Sequence, residues 1–443
     1  MSKRNFVLLI IILIIAVIVI FGFLYFRSSP TGPDDSGTGT NFFAQFNPFG
    51  TSKSTPPEIT PPVDVSGYKP GPTKETQKLT KVSSMPIAGF TIFTKERLKD
   101  IPITETLTTE NPPLETEKKK TAPAKPLTEF IPALRYVAQA TGNIFQTFAD
   151  KIEEKKYSKT IIPRVYEAYF GSRGESVVMR YLKTDDKTIE TFSGTLPKEY
   201  LGADISVLHE VKGSFLPNNI KDISISPDAL KIFYLFTSND SMTGTTLNFS
   251  DNKKVQVFDS PFTEWLSWWP NTKTIALSTK PSSSIPGYMY TLDLDKKSLV
   301  KILDNINGLT TLMGPNVKLV LYSDNTLALY IYSVENGNSD VLGVKTLPEK
   351  CVWGKANDII YCAVPKLINI GTYPDAWYQG EVTFDDQFWK IDVKNGNASL
   401  VIDPITIPGG EEIDGIKLAL DEGENYLFFV NKKDSFLWKL NLK

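Results

Sequence analysis

Histidine and cysteine are almost missing from this sequence: one histidine and two cysteines in 443 residues. A Ser-His-Asp triad could draw only on His209, in the run ISVLHEVKGS, and a structural or solvated histidine is the simpler reading. A zinc site built from Cys and His needs more ligands than His209, Cys351 and Cys362 supply. No G-x-S-x-G elbow, Walker A loop or G-x-G-x-x-G segment occurs. Neither charge sign dominates. Lys and Arg number 48 and Asp and Glu 50, for a net charge of -2. The basic residues form no stripe, so the electrostatic footprint of a nucleic-acid partner is lacking. No cofactor, metal or nucleic acid is expected.

Long apolar runs are absent too, with one exception. Phe6 to Phe26 reads FVLLIIILIIAVIVIFGFLYF, 21 residues without a charge. As a helix rising about 1.5 Å per residue it would cross a hydrocarbon layer of about 30 Å. Lys3 and Arg4 precede it, while Arg27 is followed by Asp34 and Asp35. The positive-inside rule therefore predicts a cytoplasmic N-terminus (1–5), a transmembrane helix (6–26) and an extracytoplasmic remainder. A cleaved signal peptide fits less well, because the apolar core is too long and Gly22 to Arg27 lacks an A-x-A site.

Residues 27–75 are rich in Pro, Thr, Ser and Gly. Such a composition buries too little apolar surface to offset its ordering entropy, so a disordered linker is expected. The segment 41–50, NFFAQFNPFG, is the exception. Phe42, Phe43, Phe46 and Phe49 either form a docking peptide for a partner or membrane, or pack on the chain's own folded domain.

From residue 76 onward the sequence is periodic. Six segments share an apolar strand end, a polar turn and a second apolar strand: 168–181, 224–236, 267–278, 312–323, 352–364 and 418–430. Alternating strands follow the later ones at 288–294, 327–334, 388–393 and 436–442, and two of these lead to Asn336-Gly337 and Asn395-Gly396. Asn-Gly between alternating strands signals a two-residue type I′ hairpin. A unit of about 40–45 residues with four strands is a propeller blade. The expected fold is therefore all-β: a propeller of about seven four-stranded antiparallel blades over 76–443, behind one transmembrane helix and a linker. Blade one is read as 87–93, 134–139, 144–148 and 157–161, with a charged insertion at 94–130. The last blade runs out after three strands. Residues 77–82, QKLTKV, are predicted to supply its fourth strand and close the ring, because an open ring leaves an unpaired edge.

The turn Ser226-Pro227-Asp228 resembles the WD40-like repeat of TolB-type propellers, and Trp269-Pro270-Asn271 and Gly314-Pro315-Asn316 match it loosely. The plan of anchor, Phe-rich linker and propeller is similar to uncharacterised surface proteins of small-genome bacteria. That resemblance implies a location at the cell surface and no particular chemistry.

Cys351 and Cys362 face each other across a predicted strand pair, where an oxidising exterior would permit a disulfide and a reducing one would leave two small core residues. The insertion at 366–387 carries Tyr373, Asp375, Trp377 and Tyr378, an aromatic and acidic set suited to binding a partner. The alternative is that the aromatics plug the blade. The acid pairs Asp185-Asp186, Asp385-Asp386 and Glu411-Glu412 are the candidates for glycoside chemistry, though adjacent acids more often cap turns, and the Ser-x-Asp-x-Gly-x-x-Trp box of sialidase propellers is absent. The expected function is a non-catalytic, surface-anchored binding or scaffolding module for envelope proteins or glycans. The alternative is a hydrolase or lyase using carboxylates in the propeller funnel, and convergent acids of raised pKa there would favour it.

Overall fold

In four blades the turn between the first two strands is closed by side chains that do the work of a backbone. In Ser226-Pro227-Asp228 the Ser226 hydroxyl donates to Asp228 Oδ1 at 2.6 Å and accepts from Lys231 N at 2.9 Å. Ala229 then takes φ of 55°, closing the loop onto the second strand. Asn271 Oδ1 caps Lys273 N and Thr274 N, and Asn316 Oδ1 caps Lys318 N, in the loosely matching turns. Asp421 Oδ1 accepts from Asn425 N and Tyr426 N in the last blade. Short polar side chains recur here because they supply the acceptors a tight turn would otherwise leave to water.

A computed structural model describes residues 78–99, 127–201 and 207–443. Among these, strands form seven antiparallel sheets of four. The inner strands are Ile87–Leu98, Val165–Gly171, Asp222–Ile225, Trp265–Asn271, Thr310–Met313, Cys351–Trp353 and Gly415–Leu420. The fourth strand of blade seven is Leu79–Lys81, with Leu79 opposite Leu440 and Lys81 opposite Trp438. The first strand of the propeller thus completes its last blade. The predicted helix 6–26, the linker 27–75 and its phenylalanines Phe42, Phe43, Phe46 and Phe49 lie outside the described residues. Among the described residues no helix is long and apolar enough to cross a membrane.

The core is a ring of interblade layers. Val137 and Ile144 of blade one meet Val165 and Met179 of blade two. Equivalent clusters join each later pair, and the seventh packs Val82, Leu134 and Tyr136 against Phe428, Val430 and Leu437. Alternation along each strand feeds both of its faces, which is why the sheets read as apolar on two sides.

Three expectations need correction. The Asn-Gly turns are not type I′, because only Gly337 and Gly396 take positive φ. Gly337 N reaches Ser333 O, and Ser333 N reaches Asn338 O, a four-residue loop with glycine in the left-handed position. In blade one the first two strands run on to Leu98 and back from Thr128, so the insertion is shorter than 94–130. Its fourth strand is Lys155–Lys156, ahead of the expected 157–161, because Tyr157 turns into the core instead and donates through its hydroxyl to Pro197 O.

Candidate functional site

The adjacent acid pairs do not converge. Asp185 caps its own turn through Lys187 N, Thr188 N and the Thr188 hydroxyl, which hold its carboxyl down to about 2. Asp186 pairs with Arg164 on the surface. Glu411 pairs with Lys81 at 3.0 Å and Glu412 with Lys433 at 2.8 Å. Asp385 pairs with Lys366 at 3.0 Å. His209 lies beside Tyr157, ring centroids 4.6 Å apart, in a bridge to Ser158.

Asp386 belongs to a sealed triad. Lys350, Asp386 and Asp414 are each 0% exposed, with Lys350 Nζ 2.7 Å from Asp386 Oδ2 and in contact with Asp414 Oδ1. Gly415 N donates to Asp386, and Phe384 N and Trp377 Nε1 donate to Asp414 Oδ2, each at 3.0 Å for Asp414. Burial pushes the Asp386 carboxyl up to about 6 despite the facing ammonium. The triad fastens the blade-six insertion to blade seven.

The insertion accordingly turns inward. Tyr373 and Trp377 are 4% exposed and pack with Leu327, Leu347 and Phe384. Trp377 is buried because its indole N–H finds a buried carboxylate, and the ammonium of Lys432 sits 4.0 Å over its ring. Asp375 Oδ2 accepts Ser283 N at 2.6 Å, tying blade six to a loop of blade four. Of the four candidate residues only Tyr378 is exposed, at the end of the one-turn helix Asp375–Tyr378. Trp377 and Tyr373 are therefore plugs and Asp375 a clasp, not a presented binding face. Cys351 and Cys362 are opposite each other in the strand pair and are joined as a disulfide.

Tyr378 points to a set of residues that no motif marks. A cavity of about 260 Å³ opens among the inner strands of blades three, four, five and seven and the turn that begins blade six. Asp222, Trp268, Thr311, Glu349, Tyr378 and Lys417 line it. Asp222 opens the inner strand of blade three, and its Oδ2 accepts Ser267 N at 2.7 Å and the Ser267 hydroxyl at 2.6 Å. Desolvation, reinforced by Glu167, pushes its carboxyl up to about 6, against Ser267 and Arg180. Glu349 sits at the turn Pro348–Lys350 and bonds to Tyr378. Desolvation, with Asp414 behind it, pushes Glu349 up to about 7, against Tyr378, Lys350 and Lys432. Glu349 remains accessible through the cavity, so its burial is depth within the ring rather than sealing. Lys417 takes φ of 53° at a bulge in blade seven, and its ammonium donates to Ala88 O at 2.9 Å. Desolvation lowers its pKa. Trp268 is 45% exposed, and its N–H is fixed on Met313 O at 3.0 Å, which leaves the indole face to the cavity.

Sequence reasoning looked for acids in pairs and missed these. One signal was legible: Asp222 stands at the start of the inner strand before Ser226-Pro227-Asp228, where a propeller side chain meets the axis. Among the described residues no group of His, Cys, Asp and Glu is placed to hold a metal ion.

No protein-family model matches the chain, and no curated protein matches it. Among solved structures it is similar to an oligogalacturonate lyase in complex with manganese, at 8% identity over 70% of this chain and 85% of that one, TM-score 0.48. It is also similar to an oligogalacturonate lyase from Vibrio parahaemolyticus, at 7% identity over 70% and 85%, TM-score 0.47. Neither likeness bears on substrate or reaction here.

Proposed function

We propose that this chain is a binding module, anchored by residues 6–26 with its propeller outside the cytoplasm, that takes a polar group of an envelope protein or glycan into its funnel. The cavity carries this reading. It gathers two carboxyls, an ammonium, a phenol and an indole face in one place on the ring. Small-ligand sites combine an apolar wall with a few convergent polar groups in this way. The Cys351–Cys362 disulfide supports an oxidising compartment. The Ser226-Pro227-Asp228 turn supports kinship with TolB-type repeats.

A second reading, a hydrolase or lyase, is favoured by one observation. Glu349 and Asp222 titrate near neutrality while Lys417 is held below its usual range, which is the profile of acid and base partners. One experiment separates the two. A panel of envelope oligosaccharides and peptides is titrated against the full-length chain and its Trp268→Ala variant, and the bound fractions are then analysed for products by mass spectrometry. Saturable binding that Trp268→Ala weakens, with ligands returned intact, supports the module. Product formation that Glu349→Gln abolishes makes the chain an enzyme. Binding that ignores Trp268 removes the funnel from both readings.

A further inference from the structure

Resting on the funnel as the binding site, we infer that the group it takes is a single organic cation, an alkylammonium or guanidinium, seated against the Trp268 face between Asp222 and Glu349.

The charge pattern argues for it. Two carboxyls line the cavity against one ammonium, Lys417. That ammonium is engaged by Ala88 O. The nearby Glu167 and Arg180 pair with each other, and behind Glu349 the two ammoniums Lys350 and Lys432 are offset by Asp386 and Asp414, which leaves the balance unchanged. With both carboxyls ionised the site carries one uncompensated negative charge, and a ligand cation would complete it.

The acceptors are free to act. Both hydrogen bonds of Asp222 fall on Oδ2, so Oδ1 has no hydrogen-bond partner among the described residues. Glu349 takes its hydrogen bond from the Tyr378 phenol, while Lys350 and Lys432 act on it through space. A phenol donates one hydrogen bond, so a carboxylate keeps further lone pairs for a ligand. The indole supplies the third wall. Its N–H is spent on Met313 O, so what it offers is the negative face of the ring. Cations bind such faces well, and better where water is scarce.

The volume limits the guest. At about 260 Å³ the cavity lies below the roughly 300–1,000 Å³ of a drug-sized site. One basic side chain or one amino-sugar ring fits. Tyr378 at the edge, held by the plugged insertion, restricts larger guests.

Calorimetric titration of the full-length chain tests the inference with two pairs of probes. N-acetyl-arginine methylamide is compared with its citrulline counterpart, and glucosamine with glucose. Each neutral member keeps the size and loses the charge. Either cation should bind at least about tenfold more tightly than its neutral twin, and which pair responds tells a peptide source from a saccharide source. Asp222→Asn and Glu349→Gln should each weaken the cation about tenfold while leaving the melting temperature no lower than that of the parent. Lys417→Met, which removes the competing ammonium, should tighten it several-fold, a gain that a misfolded variant would not give. Equal binding of charged and neutral probes, lost in Trp268→Ala, overturns the cation and leaves the funnel reading standing. Cation binding that none of the three variants alters overturns the assigned seat. No binding of any probe overturns the inference, and the oligosaccharide and peptide panel then decides the funnel reading separately.

Discussion

Asp222 and Glu349 are costly residues, and the sign of that cost is testable. Both carboxyls titrate higher in the folded chain than a free carboxyl does, about 6 and about 7. The folded state therefore binds their protons more tightly than the unfolded state, and stability falls as pH rises through these values. Glu167 and Arg180 face Asp222, and Lys350, Lys432, Asp414 and Tyr378 face Glu349. Asp222→Asn and Glu349→Gln should raise the melting temperature at pH 8, and the gain should vanish by about pH 2–3, below the roughly 3.9 and 4.3 of unfolded Asp and Glu, where both carboxyls are protonated folded or unfolded. A loss of stability at pH 8 would mean that their hydrogen bonds outweigh their desolvation. The opposite behaviour belongs to Lys350. Lys350→Met leaves Asp386 and Asp414 buried without a counter-charge and should cost about 3–5 kcal/mol, read from denaturant unfolding. Costly acids on a cavity and a hydrogen-bonded, ion-paired triad in the core are the difference between a site and a fastening.

At the scale of the element, blade six holds the informative contrast. Its first two strands are bridged by a disulfide that closes a separation of 11 residues. A loop of that length stabilises by about 2–3 kcal/mol through the unfolded chain. The double variant Cys351→Ala and Cys362→Ala should lose about that much in denaturant unfolding. Reductant should lower the parent to the same midpoint and leave the variant unmoved. The insertion of the same blade is held by Trp377 on Asp414 and by Asp375 on Ser283. Trp377→Ala should therefore cost about 3–5 kcal/mol, as truncation of a buried aromatic does. If it lowered ligand binding with stability unchanged, the plug would be a contact after all.

For the whole molecule, the decisive contact is between its ends. Leu79, 5% exposed, packs in the layer between blades six and seven, and Val82, 2% exposed, in the layer between blades seven and one. Removing residues 1–82 should cost about 3–5 kcal/mol of apolar burial and open the edge of Leu437–Asn441. Compared with a chain beginning at residue 77, it should melt earlier and self-associate in light scattering. Indistinguishable melting would show that the ring does not depend on its closing strand.

Much of this architecture was already determined by local chemistry. A turn such as Ser226-Pro227-Asp228 closes on its own side chains, so its meaning survives without neighbours. Alternating runs such as FWKIDV need a sheet whatever the fold, and three strands at the end call for a fourth from elsewhere. Tertiary structure decided the site, for two reasons. Trp268 and Trp377 look alike in a one-dimensional chain, yet one spends its N–H on a rim carbonyl and keeps a face open, while the other spends it on a buried carboxylate. Asp222, Glu349 and Lys417 are separated by whole blades and share a cavity only because seven sheets close on one axis. Periodicity states how many blades there are. Which side chains meet in the middle depends on the ring closing, and closure is a property of no single segment.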